Sequence, residues 1–245
     1  MTNELSPRTQ EPPLAVLMPA YNEQDNIELA VQEVCCEVLD DLPGAYLIVV
    51  DDGSKDDTGL ILDRISANDP RVRVIHKQNG GHGPALVAAL NSADSEYVFL
   101  VDSDMQIPLK CFSQLWDMAK QPGVDGVFGV RENRQDPKAR ILLSAFIALA
   151  LTAMFQVRLT DANAPCKVFR RKIWTEMYAK VNDDSMMAPS LVLAIYALRH
   201  KFKIISVKVS HRERARGETS LRLPKLIKFC WRAFGQVVRL KEQIS

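Results

Sequence analysis

Short apolar runs alternate with helix-forming stretches through the first hundred residues. Four of these runs have the length of buried strands and cover residues 14–18, 46–50, 72–76 and 97–101. The stretches between them space their apolar residues for one helix face and predict helices over 22–40, 58–66 and 84–91. Strands that are apolar throughout and alternate with helices indicate an α/β fold, with a mostly parallel sheet covered by helices on both faces.

The second half of the chain is less regular but continues the alternation. Strands are predicted at 125–130 and 203–209, and residues 161–170 are expected to return to the sheet. The helical pattern predicts three more helices, at 137–156, 185–200 and 224–240. The chain has 245 residues and no internal repeat, which fits one large domain with short additions.

Polar clusters follow three of the predicted strands where each strand ends. They are residues 21–23, Asp51 with Asp52, and Asp102 with Asp104. Ligands of open parallel sheets bind beyond the carboxyl ends of the strands, so we expect these clusters to lie close together. Asp102 and Asp104 could share one hard cation with a diphosphate, and Gln106 offers a third oxygen ligand. An exposed acidic turn is the alternative interpretation of these carboxylates.

Charge and composition narrow the class of protein. Lys plus Arg is 31 and Asp plus Glu is 30, so the net charge of +1 gives no general reason to expect a nucleic-acid partner. The five cysteines lack regular spacing, which favours buried, reduced thiols in a cytoplasmic protein over a disulfide framework or a zinc site. Residues 1–13 are polar, lack the apolar stretch of a signal peptide and are expected to form a flexible lead.

Six motifs in a fixed order carry a resemblance to a known family. They are PAYNE at 19–23, VVDDGSKDDT at 49–58, NGGHGPAL at 79–86, VDSDMQ at 101–106, DANAPCKVFRR at 161–171 and RARGET at 214–219. Together they resemble the family 2 glycosyltransferases, most of all the branch of dolichol-phosphate mannose synthase and the polyprenyl-phosphate glycosyltransferases. The resemblance implies a GT-A fold, with a Rossmann-like sheet, over residues 14–221, and leaves 222–245 as a basic amphipathic C-terminal helix.

The resemblance also assigns a donor site. The positions that resemble the pocket for the base and ribose of a nucleotide-sugar are Pro19, Tyr21, Glu23, Val50 and Asp52. Asp102 and Ser103 would contact the nucleotide, and Asp104 and Gln106, with Asp102, would hold Mg²⁺ or Mn²⁺. A carboxylate such as Asp52 can accept hydrogen bonds from the N–H edge of a base.

Two positions depart from the family pattern around this donor site. Arg214 matches the arginine of a loop that closes over the donor diphosphate, but Ser220 stands where the family has a lysine. His82 also replaces a common lysine, and we interpret it as a loop residue rather than a catalytic group.

A cationic group matches the family's acceptor site. Arg140 and Ser144 lie four residues apart on a predicted helix and therefore share a face, while Arg131 ends the preceding strand. Two guanidinium groups and a hydroxyl can grip a phosphate dianion. By resemblance these three residues bind a lipid phosphate, and Arg131 also reaches the donor. Arg131 and Asp104 are the predicted catalytic residues.

These assignments predict an inverting transferase that moves a hexose from GDP-mannose or UDP-glucose to a dolichyl or undecaprenyl type of polyprenyl phosphate. An acceptor phosphate is already anionic and needs no strong general base. Two alternatives stay open. A transferase of the same fold with a saccharide or soluble acceptor would need a carboxylate base, and Asp161, Asp183 and Asp184 are the candidates. A nucleotide-sugar-binding subunit without turnover is the other.

Two helices are candidates for a membrane surface. The uncharged run 141–157 is at the short limit for crossing a bilayer, and motifs of one domain flank it, so we expect it to lie in the lipid interface or to pack in a homo-oligomer. The predicted C-terminal helix interleaves Lys and Arg with aromatic residues, a pattern suited to anionic lipid. We therefore expect a peripheral protein at the cytoplasmic face of a membrane.

Overall fold

A computed structural model of the chain describes residues 13–132, 138–158, 161, 166–212 and 223–244, and for 138–146 and 223–226 it describes the backbone alone. Within these ranges, seven strands form one sheet: β1 (Leu14–Ala20), β2 (Tyr46–Asp51), β3 (Val72–His76), β4 (Tyr97–Leu100), β5 (Gly126–Glu132), β6 (Lys167–Arg170) and β7 (Ile204–Ser210). The order across the sheet is β3-β2-β1-β4-β6-β5-β7.

The sheet is parallel except at β6, as the apolar runs predicted for most of it. β1 lies between β2 and β4 and is parallel to both, with Leu17 opposite Ile48 on one side and Leu100 on the other. β6 runs antiparallel to both neighbours, and its first residue, Lys167, pairs with Leu100 of β4 and Phe128 of β5. The start of β6 therefore lies at the edge where β4 ends.

Helices cover both faces of the sheet. The helices are α1 (Ile27–Val34, continued by a π-helical turn at Cys35–Leu39), α2 (Thr58–Asn68), α3 (His82–Ser92), α4 (Phe112–Ala119, after a 3₁₀ turn at Leu109–Cys111), α5 (Lys138–Phe155), α6 (Arg171–Val181), α7 (Pro189–Arg199), α8 (Leu223–Arg239) and α9 (Lys241–Ile244). One core packs α3, α6 and α7 on the sheet, and the other packs α1 and α4 on the opposite face. The predicted arrangement of helices on both faces is confirmed.

The structure corrects several predicted boundaries. The helix predicted from residue 22 begins at Ile27, because Asn22 adopts a left-handed φ of 53° and belongs to a turn. The helix predicted from 185 begins at Pro189, a residue suited to a first helical turn because it lacks a backbone N–H. Of the cysteines, Cys166 is buried as expected, but Cys36 is exposed.

Three of the helices were not predicted: the four-residue α9, and the longer α4 and α6. The apolar residues of α4 and α6 do carry helical spacing, with Phe112, Leu115 and Trp116 buried on α4 and Ile173 and Trp174 buried on α6. α6 follows β6 without a connecting loop, so no turn residues mark its start, whereas Pro108 and a 3₁₀ turn precede α4.

Candidate active site

The loops after β1 and β2 are tied together at the carboxyl edge of the sheet. The backbone N–H of Asn22 donates to Ser54 Oγ at 3.0 Å, and Asn22 Oδ1 accepts from the N–H of Lys55 at 2.8 Å. The N–H of Glu23 donates to Thr58 Oγ1 at 2.8 Å. The first two sequence motifs therefore form one polar surface.

The predicted nucleotide pocket lies on this surface. Pro19 and Val50 are directly paired in the register of β1 and β2. Tyr21 is 39% exposed, whereas Glu23 and Asp52 are buried. The structure brings all five predicted residues to one edge, and their contact with a base and ribose stays a prediction.

Asp52 organises the glycine-rich loop before α3. Its Oδ1 accepts from Lys77 Nζ at 2.7 Å and from the N–H of Gly80 at 2.9 Å, and its Oδ2 accepts from the N–H of Gly81 at 2.7 Å. Gly53 completes the fit, because a Cβ there would lie 2.8 Å from the backbone nitrogen of Asn79. The sequence motif indicated a base-binding carboxylate, but gave no sign of this loop-fixing role.

His82 makes a contact with the acidic cluster that the sequence interpretation did not predict. It begins α3, and its Nε2 lies 3.2 Å from Asp102 Oδ1. Partial loss of hydration lowers the pKa of His82, whose side chain remains 58% exposed, but the hydrogen bond with Asp102 and the charges of Asp104 and Asp52 outweigh it and raise the pKa. The imidazole therefore faces the acidic cluster.

The loop after β4 is held to the end of β7. Met105 adopts a left-handed φ of 58°, and the N–H of Gln106 donates to Asp104 Oδ1 at 3.1 Å. The carbonyl of Gln106 accepts from the N–H of Arg212 at 2.8 Å. Asp102, Asp104 and Gln106 line one cavity with Arg131 and His211. Ser103, the predicted nucleotide contact between the two aspartates, is buried.

Arg131 is fixed by Asp161. Its Nε donates to Asp161 Oδ2 and its Nη2 to Oδ1, both at 2.9 Å, and its backbone N–H also donates to Oδ2 at 3.2 Å. The side chains are only 15% and 9% exposed. A bidentate pair of this kind sets the plane of the guanidinium, so Asp161 acts on Arg131 as a positioning partner.

The other candidate carboxylate bases already have structural roles. Asp183 Oδ1 accepts from the N–H and the hydroxyl of Ser185 at 2.8 and 2.6 Å. Asp184 accepts a hydrogen bond from the hydroxyl of Tyr178. Both carboxylates therefore accept hydrogen bonds from within the protein.

The donor set suits an ion that is shared with a ligand. Among the described residues, no group of three or more His, Cys, Asp or Glu side chains is placed to hold a metal ion by itself. Mg²⁺ binds through one or two carboxylates and completes its shell with water and substrate phosphate oxygens. Asp102, Asp104 and the amide oxygen of Gln106 fit that incomplete set.

Several predicted site residues cannot be placed. Arg214 and Ser220 lie outside the described residues, as do the side chains of Arg140 and Ser144. The backbone of Arg140 and Ser144 lies in α5, so the predicted helix that carries them is present. In the parts of the chain for which coordinates are described, no helix has the length and apolar character needed to cross a bilayer.

A seven-stranded sheet with helices on both faces and paired carboxylates beyond β4 defines the GT-A fold of glycosyltransferases. The chain belongs to glycosyl transferase family 2, whose family model matches residues 15–177.

The chain is similar to proteins named undecaprenyl-phosphate 4-deoxy-4-formamido-L-arabinose transferase. It is 33% identical over 218 residues to that of Pseudomonas syringae pv. syringae (strain B728a), covering 87% of this chain and 62% of the relative. It is 32% identical over 221 residues to that of Pseudomonas fluorescens (strain SBW25), covering 87% and 61%. The chain thus spans about three fifths of the length of these relatives.

The chain is also similar to solved structures of glucosyl-3-phosphoglycerate synthase from Mycobacterium tuberculosis. The complex with Mn²⁺, UDP and phosphoglyceric acid has a TM-score of 0.67 and 17% identity, covering 94% of this chain and 78% of that one. The complex with Mg²⁺ and UDP has a TM-score of 0.67 and 18% identity, covering 93% and 78%. At these identities the likeness confirms the predicted fold.

Proposed function

We propose that this protein is an inverting glycosyltransferase that moves a sugar from a nucleotide-sugar to a polyprenyl phosphate. The observation that carries the proposal is the meeting of Asp102, Asp104, His82 and Arg131 at one edge of a family 2 domain. The names of the similar undecaprenyl-phosphate transferases support the acceptor class. We expect the transferred sugar to be a hexose from GDP-mannose or UDP-glucose. The names of the relatives instead give 4-deoxy-4-formamido-L-arabinose, which is the second candidate sugar.

The proposed site includes a divalent ion, Mg²⁺ or Mn²⁺, held by Asp102, Asp104 and Gln106. Both ions occur in the solved structures of similar fold. The ion would neutralise charge on the departing diphosphate, which is expelled poorly without such help.

The protein's own residues orient the two substrates. An oxygen of the acceptor phosphate forms a bond to the anomeric carbon while the bond from that carbon to the nucleoside diphosphate breaks, and the bonding electrons leave with the diphosphate. Attack from the opposite side inverts the anomeric centre. Arg131, held in plane by Asp161, supplies a fixed cation for the phosphate groups. The acceptor needs no base, which agrees with the structural engagement of Asp161, Asp183 and Asp184.

We further propose that the protein works as a peripheral protein at the cytoplasmic face of a membrane. Trp231 and Ile227 of α8 are 65% and 40% exposed, and Lys228 and Arg232 are exposed beside them. On α5, Leu149 is 68% exposed. An apolar strip flanked by cations suits an anionic lipid surface. We expect the protein to co-sediment with vesicles of anionic phospholipid and more weakly with neutral vesicles. Co-sedimentation with neither kind of vesicle would contradict this proposal.

One assay tests the transferase. The protein is incubated with labelled UDP- and GDP-sugars, Mg²⁺ or Mn²⁺, and a short polyprenyl phosphate, with a chelator in the control. Labelled lipid that depends on the added ion supports the proposal. Product formed only with a saccharide acceptor would replace the acceptor class, and donor binding without any product would indicate a binding subunit.

A further inference from the structure

The C-terminal helix reaches the donor site through one buried side chain. Gln236 of α8 is 8% exposed. Its Oε1 accepts from the N–H of Met187 at 2.7 Å, and its Nε2 donates to Asp183 Oδ2 at 3.0 Å and to the carbonyl of Ser185 at 3.3 Å. One amide thus binds three points of the segment 183–187.

That segment is pressed against the first turn of α3. A Cβ at Gly83 would lie 2.1 Å from the carbonyl oxygen of Met186 and 2.6 Å from that of Met187, so the two backbones touch at a position that admits only glycine. Gly83 directly follows His82, whose ring contacts Asp102. Two short steps therefore connect Gln236 to the acidic cluster.

The same elements enclose a groove beside the site. Its lining includes the glycine-rich loop with Pro84, Ser185 and Met187, and Trp231, Arg232 and Arg239 of α8. The position of α8 therefore determines part of the lining of a groove that His82 also lines. Beyond Gln236, Val237 and Leu240 anchor the end of the helix in the core.

We propose that Gln236 is a positioning residue that holds the 183–187 segment against Gly83 and so keeps His82 at Asp102, joining the placement of α8 to the geometry of the donor site. The proposal deepens the proposed function and rests on it for its kinetic consequences. The structural link between α8 and the glycine-rich loop does not depend on the proposed function. α8 also carries the proposed lipid-facing residues. The link therefore couples the binding of α8 to a membrane with the geometry of the donor site.

The test compares four variants. Gln236→Leu removes all three hydrogen bonds, and Gln236→Glu keeps only the acceptor side and sets a carboxylate against Asp183. Asp183→Asn combined with Gln236→Glu restores a donor opposite the new carboxylate. Val238→Ala changes an exposed residue of the same helix and is the matched control.

Amide hydrogen exchange of residues 80–86 is the first measurement. We expect exchange there to rise by about tenfold or more in Gln236→Leu, the size expected for a lost hydrogen bond to a charged group. Exchange in β1 and β2 should stay at the wild-type rate, Val238→Ala should match the wild type, and the double variant should recover part of the protection. Unchanged exchange at 80–86 in Gln236→Leu, or an equal rise through the whole sheet, would overturn the link.

Kinetics are the second measurement, made well below the melting temperature of each variant. We expect the apparent KM for the nucleotide-sugar to rise about tenfold in Gln236→Leu, with the KM for the acceptor much less affected, and the double variant to recover part of the loss. Equal changes in both constants with no recovery would reduce Gln236 to a stabilising residue. If the wild type transfers no sugar, the proposed function fails, while the exchange data still decide the link.

Discussion

Replacing Lys167 with methionine removes an ammonium group that the fold holds out of water. Lys167 begins β6, is fully buried, and its Nζ donates to Ser190 Oγ at 2.7 Å. Burial is the main cause that lowers its pKa, and the charge of Arg131 adds to it. The charges of Asp161 and Asp102 oppose the shift, and the resulting pKa is about 7.

The shift has a definite thermodynamic sign. A fall in pKa from 10.5 to about 7 means that the charged form costs the folded state about 5 kcal/mol relative to the unfolded chain. Below the folded pKa both states carry the proton and the cost is complete. As pH rises towards 10.5 the unfolded chain binds more protons than the fold, so the cost shrinks. Between about pH 7.5 and 9.5 the wild type should gain about 2.5 kcal/mol of unfolding free energy from this group.

Urea unfolding of the wild type and Lys167→Met at these two pH values measures the effect. Other groups titrate in the same range, so the quantity of interest is the difference between the two proteins. We expect the variant to lack about 2.5 kcal/mol of the wild-type rise and to be at least as stable at the lower pH, because methionine fills similar space without a buried charge. Equal pH dependence in both proteins would refute the reasoning.

Three further predictions concern the site and the fold around it. Asp104→Ala should lower transfer about a hundredfold or more with an unchanged circular dichroism spectrum, and full turnover would remove the metal role. Gly83→Ala should lower the unfolding free energy by about 2 kcal/mol or more, because its Cβ meets the carbonyl of Met186; a melting temperature equal to the wild type's would contradict the contact. The hydrogen bonds of His76 with Asp51, and then with Asp63, raise its pKa, so their stabilisation is present below the unfolded pKa and is lost as pH rises through the folded one. His76→Gln should therefore lose up to about 1 kcal/mol near pH 5.5 in this partly exposed pair and little near pH 9, and equal losses at both would argue against it.

The apolar runs of β1, β2 and β4 were sufficient to predict these strands because every residue in them is buried, whereas β3 lies at the edge of the sheet and is only partly buried. The three polar clusters were sufficient to predict the edge where the site lies, because parallel strands end together. The partners within that edge could not be predicted. The contact of Asp52 with the glycine-rich loop depends on the pairing of β2 with β3, and the contact of Arg131 with Asp161 depends on where β6 enters the sheet.

The missed role of His82 has a similar cause. A histidine in a glycine-rich stretch indicates a loop by its neighbours, and only the packing of α3 beside the end of β4 brings its ring to Asp102. The burial of Lys167 was equally hard to predict, since a lysine in a motif rich in arginine indicates an exposed charge. Nothing local to either residue distinguishes a surface cation from one enclosed by distant elements.

Because β6 runs opposite to β4 and β5, residues that precede β6 lie at the same edge of the sheet as residues that follow its two neighbours. β4 and β5 contribute to this edge through the residues that follow them, whereas β6 contributes Asp161 and Cys166, which precede it. Substitutions at Asp161 or Cys166 therefore alter this edge through residues that precede a strand, whereas substitutions after β4 and β5 alter it through residues that follow one.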